Sequence, residues 1–314
     1  MILTVTLNTS LDKLYTVEGF RAGEVIRVKE AHYTAGGKGL NVARVVFALG
    51  EQVLATGLAG GFAGGFIESE LERAGIPFEF TRISGESRSC INMIDESTHT
   101  QTELLEPGPL VSREEADEFL KTYETLLGKA DVITMSGSAP RGMHRGIYRT
   151  MIEMARRNER PVILDSSGDL LREGIGAGPA MVKPNASEAG AILGKTISSV
   201  DEAVSSAREL TRLGAKTAVI SMGERGLVAF FSSTGEAYSA VPPVITAVNT
   251  VGCGDALVAG FAVGLIRGYA FEETVRLAAA ASSASALTQG TGECREEDVE
   301  RVLREVVVSR LNKD

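Results

Sequence analysis

The sequence has no tryptophan, only three cysteines and only three histidines among 314 residues. Cys90, Cys253 and Cys294 are scattered and form no CxxC pair, so neither a disulfide framework nor a zinc ribbon is implied. They fit a reducing compartment, and the chain reads as cytoplasmic. His32, His99 and His144 lie far apart without metal-ligand spacing. Long hydrophobic runs are also missing. The longest, Ala256 to Ile266, is too short to span a bilayer. The opening MILTVTLNTSLDK lacks the basic n-region and the apolar length of a signal peptide. Positive charge is scarce as well: Lys plus Arg is 32 against 41 Asp plus Glu, a net charge of −9. Such a chain is a poor partner for nucleic acid or an anionic membrane, and neither is expected.

Several motifs are absent too. A strict GxGxxG does not occur, which argues against dinucleotide binding. GxSxG is missing, and no HRD and DFG pair marks a protein kinase. AGAILGKT, Ala189 to Thr196, misses a P-loop because Ala stands where glycine is required and the stretch reads as helix.

Glycine, by contrast, is abundant: 35 residues, where average usage would give about 22. No Gly-X-Y period accompanies it, which excludes collagen. An apolar fraction of 44% suffices for a core and excludes disorder. Strand-like runs at Ile2–Leu7, Val53–Leu58, Val132–Met135, Val162–Leu164 and Thr217–Ser221 alternate with helical patterns. The helices are expected at Val42–Leu49, Phe66–Arg73, Ser112–Leu127 (opened by the capping box SREE), Met143–Arg157, Asp201–Leu213, Asp255–Arg267 and Glu272–Leu287. The alternation predicts an α/β fold with a mostly parallel, doubly wound sheet and helices on both faces. Gly260, Gly264 and Gly268 at GxxxG spacing predict close packing of a buried helix. Glu24–Tyr33 and Ser89–Glu106 break the rhythm. They read as strands of a small second sheet within about 12–34 and 86–108, covering a cleft. No linker separates them, so residues 1–314 read as one domain.

Five glycine-bearing segments carry candidate chemistry. In AGGKGLN, Ala35–Asn41, glycines precede an apolar helix. Gly37, Lys38 and Asn41 there suit a ligand held close to backbone and a helix N-terminus; a plain glycine turn is the alternative. In NTVGCGDALVAG, Asn249–Gly260, the amides of Gly252, Cys253 and Gly254 can hold an anion, and Asp255 can act as a general base or merely cap its helix. In VKPNASE, Val182–Glu188, Lys183, Asn185 and Glu188 suit phosphate and Mg²⁺, or a helix cap. SMGERG, with Ser221, Gly223 and Gly226, and SGSAP, with Ser138, follow strands and are of low specificity. Asp12 and Arg88 are isolated charges. Gly60, Gly61, Gly64 and Gly65 form a cluster read as a loop after a strand, without a role.

Together GGKGLN, KPNASE and NTVGCGDALVAG, in that order along the whole chain, resemble the signatures of the PfkB (ribokinase-like) carbohydrate kinases. TLNTSLD, ESRSC and TELLEPGP are similar to its phosphosugar branch, which holds tagatose-6-phosphate kinase and 1-phosphofructokinase. The resemblance implies a ribokinase-like fold with a small β-sheet lid, often paired in a homodimer through the lid. It implies transfer of the γ-phosphate of ATP to a sugar hydroxyl with Mg²⁺. In matching positions Asp255 is the base, and the amides of Gly252, Cys253 and Gly254 stabilise the moving phosphoryl. Asp12, Gly37, Lys38 and Asn41 hold the sugar. Arg27, Arg88 and Ser138 meet its existing phosphate. Lys183, Asn185 and Glu188 serve ATP phosphates and Mg²⁺. Ser221, Gly223 and Gly226 line the nucleotide. The implied substrate is a phosphorylated ketohexose, tagatose 6-phosphate first, then fructose 1-phosphate, then fructose 6-phosphate; an unphosphorylated sugar or nucleoside ranks below them because Lys38 and Arg88 suit an anion. Three departures stand out, one being SGSAP at Ser136–Pro140 where SGSLP is usual, a loss of bulk expected to widen a pocket. Cys253 replaces the usual small residue and raises the expectation of oxidation sensitivity, and Ala256 replaces the frequent serine.

Overall fold

The apolar run at the N-terminus forms β1 (Ile2–Thr6), a strand with every residue buried. Burial on both faces is what a central strand of a parallel sheet requires. The computed structural model describes residues 1–311. After β1 come β2 (Ser10–Val17), β3 (Glu30–Gly36), α1 (Lys38–Ala48), β4 (Val53–Gly60), α2 (Gly61–Ala74), β5 (Phe78–Ile83), β6 (Arg88–Asp95) and β7 (Thr100–Leu105). The middle holds α3 (Arg113–Leu127), β8 (Val132–Ser136), α4 (Ile147–Arg157), β9 (Val162–Asp165), α5 (Gly168–Ile175), β10 (Met181–Val182), α6 (Ala186–Leu193), α7 (Val200–Arg212) and β11 (Thr217–Ser221). The last part holds β12 (Leu227–Phe231), β13 (Glu236–Val241), α8 (Cys253–Ile266), α9 (Phe271–Ser285), α10 (Glu296–Glu305) and β14 (Val307–Leu311).

A 10-stranded sheet has the order β14-β13-β12-β11-β10-β9-β8-β1-β4-β5. It is parallel from β11 to β5, and β12, β13 and β14 add an antiparallel edge. Side chains alternate between two cores. Ile2, Ile163 and Val219 pack with α1, α8 and α9 on one face. Leu3, Leu164 and Ile220 pack with α3, α4 and α7 on the other. From β1 the chain runs outward through β4 and β5, then returns to β8 on the other side of β1. In an open α/β sheet such a reversal leaves a crevice beyond the carboxyl ends of the strands, where ligands bind.

The expected GxxxG packing is present. A Cβ on Gly260 would lie 2.5 Å from Ala278 Cα, and one on Gly264 would lie 2.6 Å from Thr274 Cγ2. Glycine there lets α8 and α9 approach backbone to backbone. No helix among the described residues is long and apolar enough to cross a membrane.

The second sheet is four-stranded, in the order β3-β2-β6-β7, with β2 and β6 parallel and the outer pairs antiparallel. This small sheet is the lid. It begins at Ser10 and runs to Gly36, slightly outside the expected 12–34. Glu24 to Lys29 is loop, not strand. The helix starts also shift. α1 opens at Lys38, four residues before the apolar run, because glycines preceding a helix carry no periodic signal. α4 opens at Ile147, after Met143. Gly61, Gly64 and Gly65 are in α2, not in a loop. The missing cap comes from elsewhere: Glu86 accepts from the amides of Phe62 at 3.1 Å and Ala63 at 2.6 Å. A carboxylate there offsets unsatisfied amides and the helix dipole.

Candidate active site

Gly36 ends β3 and Gly37 precedes α1, so Lys38 is the first residue of a helix. A Cβ on Gly36 would fall 2.0 Å from Asp12 Cγ. Glycine at 36 is therefore what lets the Asp12 side chain lie across the turn. Ser10 Oγ donates to Asp12 Oδ1 at 2.6 Å. Burial pushes the Asp12 carboxyl above the usual carboxylate range, opposed by Ser10, Arg44 and Arg88.

Strand register arranges the lid in rows. Thr34, Asp12, Cys90 and Leu105 sit side by side, and His32, Leu14, Asn92 and Glu103 form the next row. Both rows line a cleft of about 570 Å³ whose floor is Gly37, Lys38, Asn41, Gly252, Gly254 and Asp255. Arg88 stands at the hinge end, donating from Nε to the Asn8 carbonyl at 3.3 Å and from Nη1 to the Glu106 carbonyl at 3.1 Å. Asn8 Nδ2 donates to Ser138 Oγ at 3.1 Å, which brings Ser138 next to Arg88.

At the floor, Gly252 adopts φ 87°, and a Cβ on it would lie 2.5 Å from Gly292 N. The left-handed turn and the close approach both demand glycine. The Cys253 amide donates to the Thr250 carbonyl at 3.4 Å and the Asp255 amide to the Gly252 carbonyl at 3.0 Å. The Gly254 amide between them has no acceptor among the described residues. Asp255 is 4% exposed, and Asn41 Nδ2 donates to its Oδ2 at 2.7 Å. Desolvation raises its pKa to about 6; the Lys38 charge and the Asn41 bond oppose the rise, and Asp165 adds to it.

Asp165, the last residue of β9, was not singled out from the sequence. It is fully buried and sits between two lysines, 3.5 Å from Lys38 Nζ and 3.2 Å from Lys183 Nζ. It holds the Lys38 ammonium firmly charged. A Cβ on Gly254 would lie 3.3 Å from Lys183 Nζ, so that ammonium faces the Gly252–Gly254 turn. Two fixed cations, one unpaired amide and one desolvated carboxylate can stabilise a migrating anion and accept a proton beside it.

A second cleft, also about 570 Å³, opens on the other side of the turn. Ser221, Gly223 and Gly226 line it, together with Pro242, Val244 and Ile245, which carry no motif in the sequence. The two clefts share Gly254. Asn185 and Glu188 form a reciprocal cap on α6, with bonds of 2.9 and 2.8 Å. The cap uses Glu188 Oε2 and leaves Oε1 outside it. The helical reading of Ala189–Thr196 holds only as far as Leu193, where α6 ends on the left-handed Gly194.

Arg27 is exposed in the β2–β3 loop and does not line the cleft of this chain. Cys253 borders the second cleft, but burial and Asp255 push its thiol up to about 11. That direction disfavours the reactive thiolate. Asp165 was hidden because a lone Asp at a strand end carries no motif. Its place at the carboxyl end of a parallel strand was the available signal.

The family model for pfkB family carbohydrate kinases matches residues 5–298. A tagatose-6-phosphate kinase of Staphylococcus epidermidis is 36% identical over 311 residues, covering 98% of this chain and 99% of that protein. The structure of phosphofructokinase-2 from Escherichia coli superposes with a TM-score of 0.89 at 28% identity, covering 96% of this chain and 98% of that one. A candidate 1-phosphofructokinase from Thermotoga maritima gives a TM-score of 0.90 at 28% identity, covering 99% and 100%. Twin clefts meeting at a lysine-flanked Gly-Cys-Gly-Asp turn agree with these matches: the chain belongs to the pfkB family of carbohydrate kinases and is a phosphotransferase.

Proposed function

We propose that this kinase phosphorylates a ketohexose that already bears a phosphate, with tagatose 6-phosphate as the first candidate. The observation that carries the reading is Arg88 in the lining of a cleft whose floor already holds Lys38. A neutral sugar needs no such cations, whereas a phosphate matches the planar fork of arginine. The S. epidermidis relative points to tagatose 6-phosphate, and the alternatives are fructose 1-phosphate and fructose 6-phosphate.

In this reading Arg88 and Ser138 hold the existing phosphate, while Asp12, Gly37, Lys38 and Asn41 orient the hydroxyls. The attacking hydroxyl lies over the floor, and Asp255 takes its proton. A carboxylate with a pKa of about 6 is ionised at neutral pH yet a better base than an ordinary aspartate. The Gly254 amide, with the neighbouring turn of Gly252 and Cys253, and the Lys38 and Lys183 ammoniums receive the charge of the moving phosphoryl. Positioning and charge stabilisation supply most of the catalysis in such transfers. The second cleft takes the nucleotide, with Ser221, Gly223 and Gly226 at its phosphate side.

The donor set fits Mg²⁺. Asn185 and Glu188 offer hard oxygen ligands, and among the described residues no group of three or more His, Cys, Asp or Glu forms a cage. Few protein ligands, completed by waters and phosphates, is the usual Mg²⁺ arrangement. Bound there, the ion would neutralise phosphate charge. Residues 1–314 act as one domain in the cytoplasm. A homodimer through the lid would cover Phe20, Val25 and Tyr33, which are exposed apolar residues around Arg27, and would give that arginine a partner subunit to serve.

A coupled ADP-release assay over tagatose 6-phosphate, fructose 1-phosphate, fructose 6-phosphate and the free sugars tests the reading. The highest kcat/KM is expected on a phosphorylated ketohexose. A preference for a free sugar would overturn it.

A further inference from the structure

Arg44 lies in α1, one helical turn beyond Asn41, and has no role in the reaction as drawn above. Its guanidinium is desolvated, which lowers its pKa against the opposing charges of Asp12, Glu293 and Asp255. Among the described residues no carboxylate accepts a hydrogen bond from it. Nη1 donates to the Ala35 carbonyl at 2.6 Å, and Nη2 donates to Asn41 Oδ1 and, at 3.1 Å, to the Thr291 carbonyl. Asn41 and Thr291 line the cleft proposed for the sugar, and Ala35 is the last residue but one of the lid strand β3, just before Gly36. A buried cation is poor value as packing, since an apolar side chain of similar volume often serves stability equally well.

The geometry points to a specific task for it. Arginine only donates, so the Asn41 atom that faces it must be the amide oxygen. The amide nitrogen then faces the other way, and Nδ2 donates to Asp255 Oδ2 at 2.7 Å. We propose that Arg44 is a positioning residue that locks the Asn41 amide so that Asn41 donates to Asp255, and that holds the Thr291 loop against the Gly252 turn. The second part rests on contact: Gly292, next to Thr291, has its nitrogen 2.5 Å from where a Gly252 Cβ would stand. Without the lock the amide can rotate and set an oxygen against the carboxylate. Arg44 thus joins the sugar strand, the proposed base and the phosphoryl turn through one side chain.

The inference rests on Asp255 being the base, so the experiment separates the two ideas. Asp255 is faced by Lys38 and Arg44 of α1, Asp165 of β9, Lys183 after β10 and Cys253 of its own helix. Removing the Arg44 charge would itself raise the Asp255 pKa, so two variants are compared. Arg44→Met loses charge and fork; Arg44→Lys keeps the charge but cannot reach three acceptors. The acid limb of kcat/KM is expected to move up by about one pH unit in Arg44→Met, the scale of one hydrogen bond to a charged group. Arg44→Lys should show at least half of that shift. KM for ATP should stay within about twofold in both, since the second cleft is untouched. The Asn41 side-chain amide protons, followed by NMR, should lose their protection in both. A wild-type limb and protected amide protons in Arg44→Lys would overturn the proposal, because only charge would then have mattered. Cooperative melting and ATP binding show that each variant is folded, and Arg44→Lys carries the test if Arg44→Met is not. Asp255→Asn reports on the base separately: wild-type turnover there sinks the reading of Asp255 and leaves the amide measurement to judge Arg44.

Discussion

The two clefts on either side of Gly254 have the same volume and opposite chemistry. The cleft proposed for the sugar is built from charged side chains on several elements: Asp12 and Arg88 on the lid, Lys38 on α1, Asp255 on α8. The second cleft, proposed for the nucleotide, is walled by Pro242, Val244, Ile245, Leu257 and Ala279, and Ser221, Gly223 and Gly226 also line it. One side is suited to read direction and charge, the other to read shape and an apolar face. Specificity for the acceptor should therefore be sensitive to single substitutions, while donor binding should be spread over many weak contacts.

The sharpest way to break this contrast is at the floor. Asp255→Asn should cut kcat by about a thousandfold or more, with little change in either KM, as expected for a group acting in the transition state. In the wild type kcat/KM should be flat above pH 6 and fall about tenfold per unit below it, because the base is lost on protonation. The stability sign is opposite. A carboxyl whose pKa rises from 3.8 to about 6 on folding destabilises the native state once ionised. Asp255→Asn should thus melt no lower than wild type at pH 7, and a clear drop in Tm would show that Asp255 is held for structure instead.

Arg88→Ala comes next. Losing a charge-assisted clamp should weaken phosphosugar binding by about 2 kcal/mol, or roughly thirtyfold, while KM for ATP stays put. An unchanged phosphosugar affinity removes Arg88 from the clamp. On the other side of the turn, Ser282→Leu intrudes on the nucleotide cleft, which Ser282 lines. It should raise KM for ATP by about fivefold to thirtyfold, the scale of modest overpacking, with the phosphosugar KM unmoved. Equal effects on both substrates would mean that the clefts are not independent. The smallest effect is expected at Cys253→Ala: kcat within about twofold, and no gain in resistance to mild peroxide, since the protonated thiol is a poor nucleophile.

Legibility followed the same divide. Asp255, Lys38 and Lys183 could be found because each sits in a glycine- or proline-marked turn at a helix start, where backbone demands restrict the residues. Gly36 is a case in point, since its neighbour Asp12 leaves no room for a Cβ. Asp165 and Arg44 could not be found this way. One ends an ordinary buried strand and the other rides within an apolar helical run, and the contacts that tie them to the site reach Lys38 and Thr291, far away in sequence. The apolar nucleotide wall was invisible too, because a proline-rich loop of small hydrophobes looks like any connector. Arg27 shows the converse: a position can match the family while its residue lies in an exposed loop outside the lining of its own chain's cleft.

The all-round burial of α8 also fixes how the molecule should open. Residues 255–264 are buried between the sheet and α9, with glycines at the crossing. The lid is the reverse, for most residues of β3 and β7 face solvent. Amide hydrogens in α8 should exchange with deuterium only through global unfolding, and those of the lid by local opening. Bound phosphosugar should slow the lid and leave α8 almost unaltered. The helix that carries Asp255 would then be the fixed anvil, and the lid that carries Arg88 the part whose exchange rate reports occupancy.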